Sequence, residues 1–162
     1  KGFTKYTSNA GLSDLRKEIC RYLERRFSLS YGDKEVIVTV GGSEAIDLAV
    51  RAMIDPGDEV IIPQPSFVCY APIVILMGGK PVIIETKAEN EFRLTAEELK
   101  NAITPRTKLL ILPYPNNPTG AIMERKHLES IAEVLSETNI MIVSDEITRN
   151  LLTKANTFLL PI

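Results

Sequence analysis

The sequence predicts an α/β fold, a three-layer α/β/α sandwich around a mostly parallel sheet. Three observations predict it. Short aliphatic and β-branched runs alternate with longer amphipathic stretches, strand then helix, five times along the chain. Leu109-Leu110-Ile111-Leu112 is apolar throughout and has no polar face, as a strand covered on both sides must be. That run then breaks into Pro113-Tyr114-Pro115-Asn116-Asn117-Pro118-Thr119-Gly120, through which neither strand nor helix can continue. Right-handed crossovers between parallel strands place helices on both faces and gather the strand carboxyl ends at one edge. Ligands of open α/β sheets bind outside that edge. The loop is therefore either a ligand-facing turn or a tight connection without chemistry of its own. Asn117-Pro118 also invites a cis peptide, because proline cuts the trans preference to about 0.5–1 kcal/mol.

The elements follow in order. Leu12, Leu15, Ile19, Tyr22, Leu23 and Phe27 recur at helical spacing, with Ser13 as the expected N-cap. Val36-Ile37-Val38-Thr39-Val40 is a β-branched strand broken by Gly41-Gly42, and Ser43 is placed to cap the next helix. In that helix Glu44, Asp47, Arg51 and Asp55 form a narrow polar stripe on an otherwise apolar surface, so it should be largely buried. Asp55-Pro56-Gly57-Asp58 is a turn, and Val60-Ile61-Ile62 a short buried strand stopped by Pro63-Gln64-Pro65. A helix over 67–77 ends at Gly78-Gly79, and Val82-Ile83-Ile84 is the next strand. Thr95 with Glu98 makes a capping box for a short helix ending near Ile103. After the central strand comes a helix carrying Leu128, Ile131, Ala132 and Leu135, and Ile140-Met141-Ile142-Val143 is the last clear strand. Beyond Asp145 the alternation dissolves.

Composition narrows the function classes. A chain of 162 residues can bury a real core in one domain, and its 44% apolar and 25% charged content is that of an ordinary globular protein. A net charge of −2 provides no electrostatic footprint for nucleic acid or an acidic membrane. Cys20 and Cys69 have neither zinc-site nor disulfide-framework spacing, which fits a reduced, cytoplasmic setting. No apolar run approaches membrane-spanning length, and no signal peptide opens the chain. The sequence opens at Lys1-Gly2-Phe3 and closes at Leu159-Leu160-Pro161-Ile162, with no evident closing element.

Four strand ends carry chemistry. Gly41-Gly42-Ser43 at a helix start suits an anion, through free N–H groups, close approach at glycine and one hydroxyl; equally, glycine before a helix is often only a turn. Pro65-Ser66-Phe67 supplies an aromatic face and Asn116-Asn117 an amide donor. Asp145 ends a buried strand, where its charge needs a partner that a sheet does not supply; its alternative role is to cap the following segment. Together these describe a pocket for a flat, phosphorylated, cationic heterocycle, and pyridoxal phosphate fits that description. Nicotinamide dinucleotides fit poorly without a GxGxxG after a strand, and ATP fits poorly without a Walker A sequence.

From about residue 5 to 147 the sequence resembles the class I/II aminotransferases, fold-type-I pyridoxal-phosphate enzymes. The resemblance rests on five ordered motifs: 6–11 (YTSNAG), 38–45 (VTVGGSEA), 56–60 (PGDEV), 116–120 (NNPTG) and 144–147 (SDEI). It implies a large-domain fold in which Asp145 pairs with the pyridine nitrogen, Asn117 donates to the phenolic oxygen and Phe67 stacks on the ring. Gly42, Ser43 and Glu44 would present backbone N–H groups to the phosphate, helped by the Ser43 hydroxyl. Tyr6 resembles the tyrosine that reaches the partner's cofactor phosphate in a homodimer. Two positions depart from the family pattern. Thr148 stands where a tyrosine is usual, and Lys154 has neither the context nor the distance of the Schiff-base lysine. The resemblance thus implies part of a large domain, with that lysine and the small domain elsewhere, and a chain inactive by itself. The implied parent activity is amino-group transfer between an amino acid, aromatic or dicarboxylic, and a 2-oxo acid. A C–S lyase of the same fold and a non-catalytic module are the alternatives.

Overall fold

The computed structural model describes residue 2 and residues 4–148. Contacts divide the chain into two compact units, one running to Glu44 and one beginning at Ala45.

In the first unit, helix α1 spans Ser13–Phe27. Its N-cap is Leu12 rather than Ser13: the Leu12 carbonyl already accepts the first helical bond, from the Arg16 amide at 3.0 Å, so Ser13 lies inside the helix. Arg16 also donates to the Asp33 carbonyl at 2.8 Å, tying α1 to the short 3₁₀ turn Asp33–Glu35. Val36 is extended, at φ −112° and ψ 127°, but residues 36–40 form no strand, which corrects the sequence expectation. Val38 N–H donates to the Ala10 carbonyl at 3.0 Å, and there is no ladder on either side among the described residues. β-branched residues favour extended backbone, but a strand also needs a partner. Ile37 is 62% and Val40 93% exposed. Gly11, at φ +97°, lies so close to this segment that a Cβ there would stand 2.7 Å from that of Val38.

The second unit holds the sheet. Helix α2 (Gly42–Met53) leads into it through the turn at 55–58, closed by the Asp58 amide on the Asp55 carbonyl at 3.0 Å. Ser43 falls in the first turn of α2, because the helix already begins at Gly42. Strands β1 (Glu59–Gln64), β2 (Lys80–Glu85), β3 (Thr107–Leu112) and β4 (Met141–Ser144) form a four-stranded sheet in the order β2-β1-β3-β4, all parallel. Helices α3 (Tyr70–Leu76), α4 (Ala96–Ala102) and α5 (Arg125–Leu135) are the crossovers.

Three boundaries differ from the sequence reading, each for a reason visible in the prolines or the pairing. Strand β1 continues through Pro63 to Gln64. Glu59 N–H bonds toward β3 and the Gln64 carbonyl toward β2, so odd positions face β3 and the missing Pro63 N–H points there too. The ladder to β3 covers only Glu59–Ile61, so no bond is lost. On β2, the Pro81 nitrogen faces the open edge of the sheet, since Lys80 bonds toward β1. Helix α3 begins at Tyr70 and not Phe67, because Pro72 is tolerated only in a first turn, where its absent N–H has no helical partner to lose.

Val60, Ile62, Leu109 and Ile111 pack on Ile46, Val50 and Ile54 of the α2 region and on Tyr70, Ile73 and Val74 of α3. The alternate residues Ile61 and Leu110 are fully buried on the opposite face, the side of α4 and α5, whose Leu99, Leu128, Ile131 and Leu135 are buried. Thr95 caps α4 as expected, accepting from the Glu98 amide at 3.2 Å while Glu98 accepts from the Thr95 amide at 3.0 Å.

After β3 the chain enters the proline-rich loop, with cis peptides at Tyr114-Pro115 and Asn117-Pro118, and a third at Gln64-Pro65. Tyr114 anchors the loop: its hydroxyl accepts from the Leu94 amide at 2.8 Å and donates to the Phe92 carbonyl at 3.0 Å. Burial pushes this phenol up to about 12, so it stays a neutral bridge at physiological pH. Tyr114→Phe leaves the buried Leu94 N–H without its acceptor, and an expected loss of about 1–3 kcal/mol follows. Urea unfolding checks it: the midpoint should fall at unchanged slope, and an unchanged midpoint would show that the bridge carries no stability.

Candidate functional site

The carboxyl edge of the second unit brings three strand ends together. Strand β1 leads through Pro65 and Ser66 to Phe67, β3 leads to the Pro113–Gly120 loop, and β4 leads directly to Asp145. The Asp145 amide bonds to the Leu112 carbonyl at 3.1 Å, so the residue is still held by the end of β3.

Asp145 is half-buried and both its oxygens are engaged. Oδ2 accepts from the Tyr70 hydroxyl at 2.7 Å, and Oδ1 accepts from the Ile147 amide at 3.2 Å. The second bond is the local turn that the capping alternative expected. The first is a long-range bond to the start of α3. Tyr70 is 2% exposed, and burial together with the bond to Asp145 pushes its phenol far above the ordinary tyrosine range. Phe67 lies edge-on to Tyr70, with ring centroids 6.1 Å apart at 71°, and keeps 37% of its surface exposed. Phe67 and Asp145 are therefore joined through a tyrosine that the sequence reading did not single out. A signal was present: a buried tyrosine needs a hydroxyl partner and a strand-end aspartate needs a donor.

The loop residues divide in role. Asn116 is buried and structural, its Oδ1 accepting from the Thr119 amide at 3.3 Å and the Thr119 hydroxyl at 3.0 Å. Asn117 is exposed, and its amide makes no hydrogen bond among the described residues. Thr148 donates to the Pro115 carbonyl at 3.0 Å, so its hydroxyl is committed to the loop backbone. Lys154 and the rest of 149–162 lie outside the described residues.

Gly42, Ser43, Glu44 and Tyr6 fall in the first unit. Gly41 adopts φ +92°, a left-handed turn that only glycine takes without strain, and α2 starts at the next residue with its first N–H groups unpaired by helix geometry. The Glu44 carboxylate turns back to the Val40 amide, which leaves its main chain as the part that can serve an anion. Tyr6 is fully exposed.

Among the described residues there is no group of three metal-ligating side chains, and no helix is long and apolar enough to cross a membrane. A cavity of about 350 Å³ lies elsewhere in the second unit, lined by residues that include Arg93, Thr95, His127 and Ser130. It shares no residue with the Phe67–Tyr70–Asp145 cluster.

The chain is 44% identical over 147 residues to the aspartate aminotransferase of Pyrococcus abyssi, an alignment covering 90% of this chain and 38% of that protein. It is 43% identical over 148 residues to aromatic-amino-acid aminotransferase 2 of Thermococcus litoralis, covering 91% of this chain and 38% of that protein. The chain thus spans under two fifths of the length of these relatives. Its structure superposes on the crystal structure of an aromatic aminotransferase from Pyrococcus horikoshii with a TM-score of 0.93 at 40% identity, covering 98% of this chain and 43% of that one. The four-stranded parallel sheet matches the large domain of fold-type-I aminotransferases. The family model for aminotransferases of class I and II matches residues 1–156, and the chain belongs to that family.

Proposed function

We propose that the protein carrying this chain is a pyridoxal-phosphate-dependent aminotransferase, which moves an amino group between an aromatic or dicarboxylic amino acid and a 2-oxo acid. These residues would form part of its large domain, and the lysine that holds the cofactor and the small domain would lie outside them. The observation that carries the reading is Asp145, a half-buried carboxylate at a parallel strand end with each oxygen already fixed by one donor. An anion so placed matches a heterocycle carrying a protonated ring nitrogen, and the donor set around it fits the cofactor. When bound, pyridoxal phosphate supplies an electron sink for bonds at the amino acid's α-carbon.

The chain's own residues have distinct tasks under this reading. Asp145 keeps a proton on the ring nitrogen. Phe67, packed edge-on to Tyr70 at the start of α3, offers its exposed surface to the ring. The free amide of Asn117 donates to the phenolic oxygen, a task that Thr148, bonded to Pro115, does not share. Backbone N–H groups of Gly42, Ser43 and Glu44, with the Ser43 hydroxyl, hold the phosphate at the start of α2. Tyr6, exposed in a single chain, is available to the cofactor phosphate of a partner in a homodimer. A cytoplasmic enzyme is in keeping with Cys20 and Cys69, which form no disulfide. The choice of substrate follows the relatives named for aspartate and aromatic amino acids.

The test is cofactor affinity in the full-length protein. Wild type should bind pyridoxal phosphate, and Asp145→Ala should bind it at least about 30-fold more weakly, the equivalent of about 2 kcal/mol for removing one partner of a charge pair. Equal affinity of the two proteins would remove the reading.

A further inference from the structure

We infer that Tyr70 is a positioning residue, whose hydroxyl transmits the rigidity of the α2–α3 core to the Asp145 carboxylate; this rests on the cofactor reading above. Tyr70 is the first residue of α3, and its ring belongs to the cluster of Ile46, Val50, Ile62, Ile73, Val74 and Ile111. A side chain 2% exposed and packed on that many neighbours cannot swing, so the hydroxyl is a fixed point in space. It stands 2.7 Å from Asp145 Oδ2, across 75 residues of chain.

The other bond to this carboxylate cannot do the same task. The Ile147 amide, 3.2 Å from Oδ1, lies two residues away and moves with the segment that carries Asp145. It shapes the turn but does not tie it to the rest of the unit. Removing the Tyr70 hydroxyl would leave Oδ2 without a donor among the described residues and free the carboxylate to rotate about its side-chain bonds. A carboxylate that must meet a ring nitrogen at one place loses affinity when it has to be ordered at binding. Each carboxylate oxygen accepts more than one hydrogen bond, so holding Oδ2 from behind does not block its use by a ligand. The Phe67 ring, edge-on to Tyr70, is positioned by the same fixed point.

The experiment is a double-mutant cycle read by the dissociation constant of pyridoxal phosphate in the full-length protein. Tyr70→Phe keeps the ring and its packing, and should weaken binding about 10-fold, the lower range for outer partners that orient a binding group. In an Asp145→Ala background the same change should alter affinity by less than about 2-fold. Substituting 3-fluorotyrosine at position 70, which keeps the hydroxyl, should retain wild-type affinity. An equal loss in both backgrounds would mark Tyr70 as a general structural residue and overturn the inference. Unchanged affinity in Tyr70→Phe, or a 3-fluorotyrosine protein as weak as Tyr70→Phe, would overturn it too. Should Asp145→Ala bind as tightly as wild type, the cofactor reading itself falls, an outcome distinct from failure at Tyr70 alone.

Discussion

Glu59→Gln is expected to flatten the acid limb of the stability curve between about pH 4.5 and 2, where the wild type loses stability steeply. Glu59 opens β1 at the amino edge of the sheet, opposite the candidate site, and is 1% exposed. Its carboxylate accepts from the Thr104 hydroxyl at 2.6 Å, from Lys80 Nζ at 3.0 Å and from Arg106 Nη2 at 3.0 Å. Those partners stand at the starts of β2 and β3, so one anion clips together the amino ends of three adjacent strands. The Thr104 bond first, then Lys80 and Arg106, lower its carboxyl from 4.5 to about 2 against the opposing cost of burial.

The sign follows from that direction. A carboxyl whose folded pKa is depressed binds its proton more readily when unfolded, so its contribution is fully present above the unfolded value near 4.5. It is lost as pH falls through the folded value. Glutamine cannot ionise, so the variant should be less stable at pH 7, lose less stability than the wild type across this window, and come close to it at pH 2. Lys80 and Arg106 are 64% and 66% exposed and regain water readily, and the glutamine oxygen still accepts from Thr104, so the loss at pH 7 is chiefly that of the charge on these bonds. Urea midpoints measured from pH 7 to 2 decide the matter. Parallel curves for the two proteins would show that Glu59 is not the ionised clip.

How much of this was legible in the sequence depends on whether the decisive interaction is local. The capping box of Thr95 and Glu98 spans four residues and needs nothing else, and it forms as read. The Leu109–Leu112 run reports its own burial, and it is the interior strand next to β1. Asp145 was visible as a charge at a strand end, but its partner was not, because Tyr70 lies 75 residues away and sat inside a stretch read as an ordinary helix. Glu59 was hidden in the same way, since Thr104 and Arg106 are local to nothing but the fold. Pro72 is a different case: it carried a local signal for the start of α3, and a first-turn proline would have moved that start to Tyr70. The sheet order itself rests on pairing between distant segments, which periodicity reports only as an inventory of strands.

Residues 36–40 show where the same periodicity misleads, and they carry the last expected result. In the 162-residue chain at low concentration, the amides of Ile37 and Thr39 should exchange with solvent on the order of 10³-fold faster than those of Ile61 and Leu110. The segment has the residues of a buried strand, yet Ile37 is 62% and Val40 93% exposed, and among the described residues its backbone donates only from Val38 to Ala10 and from Val40 to the Glu44 side chain. Ile61 and Leu110 are fully buried in the β1–β3 ladder, so their amides open only with the sheet. Mass-resolved or NMR-detected exchange gives both rates in one sample. Protection of Ile37 and Thr39 equal to that of Ile61 in a dilute monomer would mean that another segment pairs with them. Protection that appears only as concentration rises would instead identify the unpaired run as the place where two chains meet, since extended apolar backbone without a neighbour is a template for intermolecular pairing.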